Sequence, residues 1–198
     1  MPVIHESIQF ENPQFVSSGL HAFVYKVEAV DAQGGRLVCC LKLFKKEWTS
    51  AYDTEAAAYE YLLHNEVEFW IPDIIGTAQR NVSGWGLDNL DGDREGNYYG
   101  LLMEWIEGGE RLTPENVRAD HIVSFVRGLV RIHEAGVLHN DTWARNMLVV
   151  PGSNRAVWID FGSATLDPTE EQMKQEMELG ATHPITMVRP NAIRYPMF

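Results

Sequence analysis

The sequence predicts an α+β protein of two lobes: a five-stranded antiparallel sheet with one helix, followed by a reduced, mainly helical lobe. Three features predict this class. The first half alternates β-branched and aromatic runs with short turns, the middle carries an apolar repeat of helical period, and two short apolar runs after it have the spacing of a hairpin. We place the first lobe at residues 1–106, the second at residues 107–180, and a loosely held tail at residues 181–198.

Turn signals and periodicity locate the elements of both lobes. Gly-containing turns separate the β-rich runs of the first half, and Thr113-Pro114 has the form of a helix start. The predicted strands lie within Phe15–Val30, at Arg36–Phe44, from Ile71 on and at Tyr98–Ile106, with a helix from Ala51 and a loop at Val82–Asn97. The second half is predicted to hold a long helix from Thr113 to Gly136, a hairpin of Met147–Val150 and Ala156–Ile159, and a helix at Pro168–Leu179.

The composition is that of a globular intracellular protein. The chain has 198 residues, of which 45% are hydrophobic, and this is enough to fill a real core. We find no apolar run long enough to cross a membrane and no signal-peptide pattern. The two cysteines, Cys39 and Cys40, are sequence neighbours, which fits a reducing compartment. We expect a cytoplasmic or nuclear protein with no membrane partner.

The net charge of −12 argues against broad nucleic-acid binding. Proteins that bind nucleic acids gain most of their affinity by neutralising phosphates with Lys and Arg side chains. A compact phosphate site remains compatible with this charge, because a few local cations and a bound Mg²⁺ ion can offset the field.

Polar residues lie at both entrances of the predicted hairpin. H-N-D-T-W-A-R-N at His139–Asn146 precedes it, and D-F-G at Asp160–Gly162 follows it. The oxygen atoms of Asp141, Asn146 and Asp160 could together hold a metal ion and a hydroxyl group. Each of these residues alone could be an ordinary turn residue, so it is their joint spacing and order that favour a chemical role.

These motifs and the order of the elements resemble a protein kinase. H-N-D-T-W-A-R-N is similar to the kinase catalytic loop, and D-F-G to the metal-binding motif that follows it. Over roughly residues 15–165 the chain resembles a bilobal protein kinase-like fold. It is identified as a small, C-terminally truncated member of that superfamily, similar to RIO kinases, the tRNA-modification-complex kinase and short fungal kinase-like proteins.

The resemblance implies a catalytic role for four residues of the second lobe, with ATP and Mg²⁺ as cofactors. Asp141 would orient or deprotonate the substrate hydroxyl, and Asn146 and Asp160 would hold Mg²⁺. Arg145 lies where tyrosine kinases place an arginine, so it would neutralise charge on the substrate. His139 is expected to support these segments structurally.

The resemblance also implies a nucleotide site built mainly by the first lobe. Lys42, in C-C-L-K, would hold the α- and β-phosphates, and Glu55 would pair with it, although Glu60 is close by in the sequence. The hinge is expected at about residues 104–109. The remaining nucleotide contacts are implied at Gly19 in the phosphate loop, Val24 and Cys40 on the adenine ring, Met103 behind it, and the backbone of Glu104 and Ile106.

The chain departs from the kinase pattern at several positions. Ser17, Gly19 and Ala22 stand where three glycines are usual, so nucleotide affinity could suffer. Asn140 replaces the arginine that reads a phosphorylated activation loop, and we predict no regulation of that kind. Trp143 replaces a phosphate-contacting lysine. The residues after D-F-G are too few for the usual peptide platform.

Three functions remain open on the sequence alone. The first is a Mg²⁺-ATP-dependent phosphotransferase that transfers the γ-phosphate to a hydroxyl, with protein Ser/Thr as the default acceptor. The second is a pseudokinase scaffold, or an ATP-binding or ATPase subunit of a complex, with a partner protein. The third is a small-molecule kinase, which shares H-x-D-x-x-x-x-N but usually carries large insertions in its second lobe.

Overall fold

The computed structural model describes residues 1–65, 67–87 and 97–187. The chain divides into two compact units. The first comprises Met1–Tyr59 and Asp73–Trp105, and the second comprises Glu60–Pro72 and the described chain from Ile106 on. Among the described residues, no helix is both long and apolar enough to cross a membrane.

In the part of the chain that the structure describes, the first unit is built on a five-stranded antiparallel sheet. The strands are β1 (Gln9–Ser18), β2 (Ala22–Val30), β3 (Arg36–Phe44), β4 (Ile74–Asn81) and β5 (Asn97–Glu104), in the spatial order β1-β2-β3-β5-β4. Helix α1 (Thr49–Leu63) follows β3 and continues across the boundary into the second unit. The predicted α+β class and the sheet are therefore confirmed.

The sheet of the first unit buries one face in an aromatic and aliphatic core. Phe10, Val27, Leu41 and Trp85 belong to this core, and the rings of Phe10 and Trp85 lie 5.1 Å apart. Gly100 lies directly under Trp85, where a Cβ atom would come within 2.3 Å of the indole ring.

The second unit is organised around helix α2 (Ala119–Glu134). Its other described elements are β6 (Glu110–Arg111), β7 (Val137–Leu138), β8 (Met147–Val149), β9 (Ala156–Trp158), β10 (Thr165–Leu166) and α3 (Glu170–Met187). Trp158 is fully buried, and its indole N–H donates to the carbonyl of Phe125 on α2 at 3.0 Å. This contact fixes the β8–β9 hairpin against α2.

Residues Glu60–Pro72 pack with the second unit, whereas the sequence analysis included them in the first lobe. Trp70 lies against Gly128 on α2, where a Cβ atom would come within 2.8 Å of the indole ring. The close approach of Trp70 explains why a glycine is accepted in the interior of α2.

Several predicted element boundaries are wrong. Helix α2 begins at Ala119 rather than Thr113, because Asn116 accepts from the Thr113 N–H at 2.8 Å and donates to the Arg111 carbonyl at 2.9 Å, closing a local turn. Strand β5 ends at Glu104, two residues before the predicted end at Ile106. Helix α3 runs from Glu170 to Met187.

The predicted end of α3 at Leu179 is wrong because the helix continues through Gly180. Gly180 lies within the helix, at its contact with α2, where a Cβ atom would come within 2.7 Å of the Leu129 side chain. Residues 181–187, assigned to a loosely held tail, are therefore helical. The tail from 188 on and most of the predicted Val82–Asn97 loop lie outside the described residues.

Candidate functional site

Four residues predicted to contact the nucleotide lie on one face of the first unit's sheet. Val24 is directly opposite Lys42, and Cys40 is directly opposite Met103. Opposed residues share a face, and so do residues two apart on one strand, so the four side chains lie on the same side. Burial raises the pKa of the Cys40 thiol to about 12, which leaves it a neutral, apolar contact surface.

Lys42 and Glu55 form an ion pair within the first unit. The Lys42 Nζ atom lies 2.5 Å from Glu55 Oε2, and the side chains are 11% and 0% exposed. Glu60, the alternative partner raised by the sequence, is exposed. A buried pair of this kind holds the ammonium group in one place, which is what contact with a phosphate requires.

Gly19 lies in the turn between β1 and β2. Its N–H donates to the Ala22 carbonyl at 2.9 Å, and its carbonyl accepts from Lys45 Nζ at 3.0 Å. A Cβ atom at Gly19 would meet nothing closer than the Ala22 carbonyl oxygen at 3.8 Å. The turn itself therefore does not require glycine, and the open space beside it suits close approach of a ligand.

The predicted hinge residues are divided between the units. Met103 and Glu104 belong to the first unit and Ile106 to the second. The backbone N–H of Glu104 donates to the Asp73 carbonyl at 2.7 Å. The carbonyl of Ile106 accepts from the Gly109 N–H at 3.0 Å, which closes a turn.

In the second unit, the Asp141 carboxylate is held on both of its oxygens. Arg145 Nη2 donates to Oδ1 at 2.6 Å, and Asn146 Nδ2 donates to Oδ2 at 2.8 Å. The Arg145 guanidinium also lies 5.8 Å above the Trp143 ring, and both of these side chains are more than half exposed. The predicted base, Asp141, is thus held in one orientation and has an exposed cation, Arg145, beside it.

Asn146 and Asp160 lie at the same end of the β8–β9 hairpin. Met147 pairs with Trp158, and the Ile159 N–H donates to the Asn146 carbonyl at 3.0 Å. Asp160 follows directly, with φ of 68° in the left-handed region, which Asp tolerates better than most residues. The hairpin therefore places the two predicted metal ligands at its same end.

His139 joins the catalytic loop to the segment before D-F-G. Its Nε2 atom lies 3.2 Å from the Ile159 carbonyl, and the Asp141 N–H donates to its Nδ1 atom at 3.3 Å. Nε2 must carry the proton, since a carbonyl can only accept. Burial lowers the pKa of His139 despite the surrounding carboxylates, so the ring stays neutral and structural.

Glu176 on α3 is a site residue that the sequence analysis missed. Its Oε2 atom accepts from His133 Nε2 at 2.7 Å and from the His139 N–H at 3.0 Å, and its Oε1 atom accepts from the Asn140 N–H. Burial by itself raises the pKa of Glu176, but these hydrogen bonds outweigh it and bring the pKa below its ordinary value. The buried carboxylate therefore anchors the start of the predicted catalytic loop, at His139 and Asn140.

The residues of the second unit fit a Mg²⁺ ion. Both observed hydrogen bonds of the Asn146 side chain use Nδ2, which leaves Oδ1 as the atom available to a cation. Carboxylate and carboxamide oxygens are the ligands that Mg²⁺ accepts. Within the described ranges, no cluster of three or more His, Cys, Asp or Glu residues could hold a metal by itself, so water or phosphate oxygens would complete the coordination.

Comparison with known proteins gives two partial similarities. The chain is 32% identical over 76 residues to a probable serine/threonine-protein kinase of Dictyostelium discoideum, which covers 34% of this chain and 12% of that protein. It is 34% identical over 85 residues to the KEOPS complex subunit Bud32 of Pyrococcus abyssi, which covers 40% of this chain and 37% of the subunit. The chain thus spans well under two thirds of either relative, and no protein-family model matches it.

Proposed function

We propose that this chain is a member of the protein kinase-like superfamily and acts as a Mg²⁺- and ATP-dependent phosphotransferase. It would transfer the γ-phosphate of ATP to a hydroxyl group, with a serine or threonine of a protein as the acceptor. The observation that carries the proposal is the arrangement of Asp141, Asn146 and Asp160 around the β8–β9 hairpin.

The role of Asp141 follows from its two hydrogen bonds. Asn146 and Arg145 fix the carboxylate plane, so an incoming hydroxyl meets an oriented acceptor for its proton. Arg145 is 59% exposed, and the guanidinium N–H groups that do not contact Asp141 could bind negative charge on the acceptor or on the transferred group. Proton acceptance and charge neutralisation would thus come from neighbouring residues of one loop.

The residues that hold the metal ion and the phosphates would stabilise the remaining negative charge. A bound Mg²⁺ ion neutralises charge on the phosphates during transfer. Asp160 and the Oδ1 atom of Asn146 would hold it. Lys42, kept in place by the buried Glu55, would contact the non-transferred phosphates, while Val24, Cys40 and Met103 would pack against the adenine ring.

A second role, as the ATP-binding subunit of a protein complex, is supported by the likeness to a KEOPS complex subunit. This role does not exclude phosphotransfer, since the same site would bind the nucleotide. A partner protein would then set the rate or supply the acceptor.

The test is ADP release and autophosphorylation by the purified full chain with Mg²⁺-ATP. We expect activity in the wild type and in Asp120→Asn, which changes an exposed aspartate on α2, and loss in Asp141→Asn and Asp160→Asn. Wild-type activity no higher than that of Asp160→Asn would overturn the proposal and favour a scaffold. ADP release that depends on a small metabolite would overturn the choice of a protein acceptor.

A further inference from the structure

Asn140 contacts two separate segments of the second unit. Its backbone has φ of 62°, a left-handed conformation that Asn adopts more readily than most residues, and its N–H donates to Glu176 on α3. Its side-chain Nδ2 donates to the Ser163 carbonyl at 2.9 Å and to Thr165 Oγ1 at 2.8 Å. The residue before the proposed base is thereby tied to the segment that follows D-F-G.

The chain is fixed on both sides of Asp160. On the N-terminal side, Ile159 bonds to His139 and to the Asn146 carbonyl. On the C-terminal side, residues 163–166 bond to Asn140 and to β7, where Thr165 pairs with Leu138. A left-handed Asp is a costly conformation that persists when the surrounding structure holds it.

We propose that Asn140 is a positioning residue that holds the segment after D-F-G, and with it Asp160, in the arrangement that binds Mg²⁺. The part of the inference that concerns Mg²⁺ rests on the proposed function. The hydrogen bonds of Asn140 to the segment after D-F-G come from the structure alone. Both acceptors, a backbone carbonyl and a threonine hydroxyl, are present in the unmodified chain. Asp160 would therefore be positioned without phosphorylation of the segment.

Two variants separate the Asn140 carboxamide from its backbone conformation. Asn140→Asp keeps the size of the side chain but removes the donor to the Ser163 carbonyl, and Asn140→Gly keeps access to positive φ but removes both side-chain bonds. The matched control is Asn116→Asp, because the Nδ2 atom of Asn116 donates to the Arg111 carbonyl at 2.9 Å, in a turn outside the proposed site.

The first measurement is amide hydrogen exchange of the full chain without ligand. The Ala164 N–H donates to Phe161 and the Asp167 N–H donates to Gly136, so both amides report on the segment. Loss of the hydrogen bonds from Asn140 is expected to speed their exchange by roughly tenfold or more in both Asn140 variants. Exchange equal to that of the wild type and of Asn116→Asp would overturn the inference.

The second measurement is the Mg²⁺ concentration that gives half of the ATP-induced thermal stabilisation. A positioning role predicts a rise of about tenfold in both Asn140 variants, with stabilisation by ATP in EDTA unchanged. An equal loss with and without Mg²⁺ would indicate general destabilisation and overturn the inference. A wild type with no Mg²⁺-dependent stabilisation would defeat the proposed function instead, and hydrogen exchange alone would then decide the role of Asn140.

Discussion

Replacing Glu176 by Gln tests whether a buried carboxylate anchors the catalytic loop. Glu176 accepts two hydrogen bonds on Oε2 and one on Oε1. A glutamine can keep its single oxygen at the Oε2 position, but its NH₂ group then faces the donor N–H of Asn140. The bond to the partly buried Asn140 N–H is lost and two donors then face each other, at about 1–3 kcal/mol, and the other two bonds lose their charge assistance, at about 1 kcal/mol together. We expect the free energy of unfolding to fall by about 2–4 kcal/mol.

The assay is urea unfolding of the full chain at pH 7.5, with Glu178→Gln as the control. Glu178 is exposed on the same helix, so its substitution should change stability by less than about 0.5 kcal/mol. A native protein with a stability of about 5–15 kcal/mol survives the larger loss and stays measurable. A Glu176→Gln variant within 0.5 kcal/mol of the wild type would refute the reasoning.

The pH dependence of the same difference gives an internal check. The folded pKa of Glu176 lies below its ordinary value, so the carboxylate contributes stability above the unfolded pKa of about 4.3, and this contribution is lost as pH falls through the folded pKa. The advantage of the wild type over Glu176→Gln should therefore persist at pH 5.5. An advantage that disappears between pH 7.5 and pH 5.5 would contradict the assigned direction.

Three further outcomes follow from the structure. Burial lowers the folded pKa of His139, so below about pH 6.5 the unfolded chain binds a proton that the folded chain does not. The free energy of unfolding measured in urea should therefore fall between pH 7.5 and pH 5.5. In His139→Asn it should fall less steeply with pH. Gly86→Ala should cost more than about 3 kcal/mol, because φ is +68° and a Cβ atom would lie 2.0 Å from the Phe10 carbonyl oxygen, while Gly108→Ala, with φ of +69° and open space, should cost about 1 kcal/mol; equal thermal shifts would contradict this. The pKa of about 12 predicts that Cys40 in the folded chain is alkylated at pH 8 roughly a thousandfold more slowly than a free thiol, and rapid labelling seen by mass spectrometry would contradict it.

Local patterns predicted most of the first unit because its strands are joined by short turns with clear signals. The Arg36–Phe44 strand was predicted with its observed limits, and the resemblance to a kinase implied that Lys42 pairs with Glu55. The choice of Glu55 over Glu60 depends on which helix face is buried, and the structure provides that answer. The roles of these residues in binding a nucleotide remain proposals.

Contacts between distant segments were beyond the reach of sequence patterns. Glu176 looks like one more surface acid among the acidic residues of α3, and its partner Asn140 lies 36 residues earlier in the chain. The observed limits of α2 and α3 differ from the predicted ones because a turn closed by Asn116 and a close helix contact at Gly180 override local helix signals. Glu176 lies four residues before Gly180, which places both on one face of a helix. This spacing is the sequence signal that could have indicated Glu176.

The central claim is that Asp160 helps to bind Mg²⁺-ATP. Its most direct test is thermal unfolding of the full chain with ATP, with and without Mg²⁺, in the wild type and in Asp160→Asn. A ligand at 100 times its Kd adds about 2.7 kcal/mol of stability, which is a shift of a few degrees for a chain of this size. We predict a Mg²⁺-dependent increase in Tm for the wild type that Asp160→Asn loses. The same increase in both proteins, or none in the wild type, would contradict the claim.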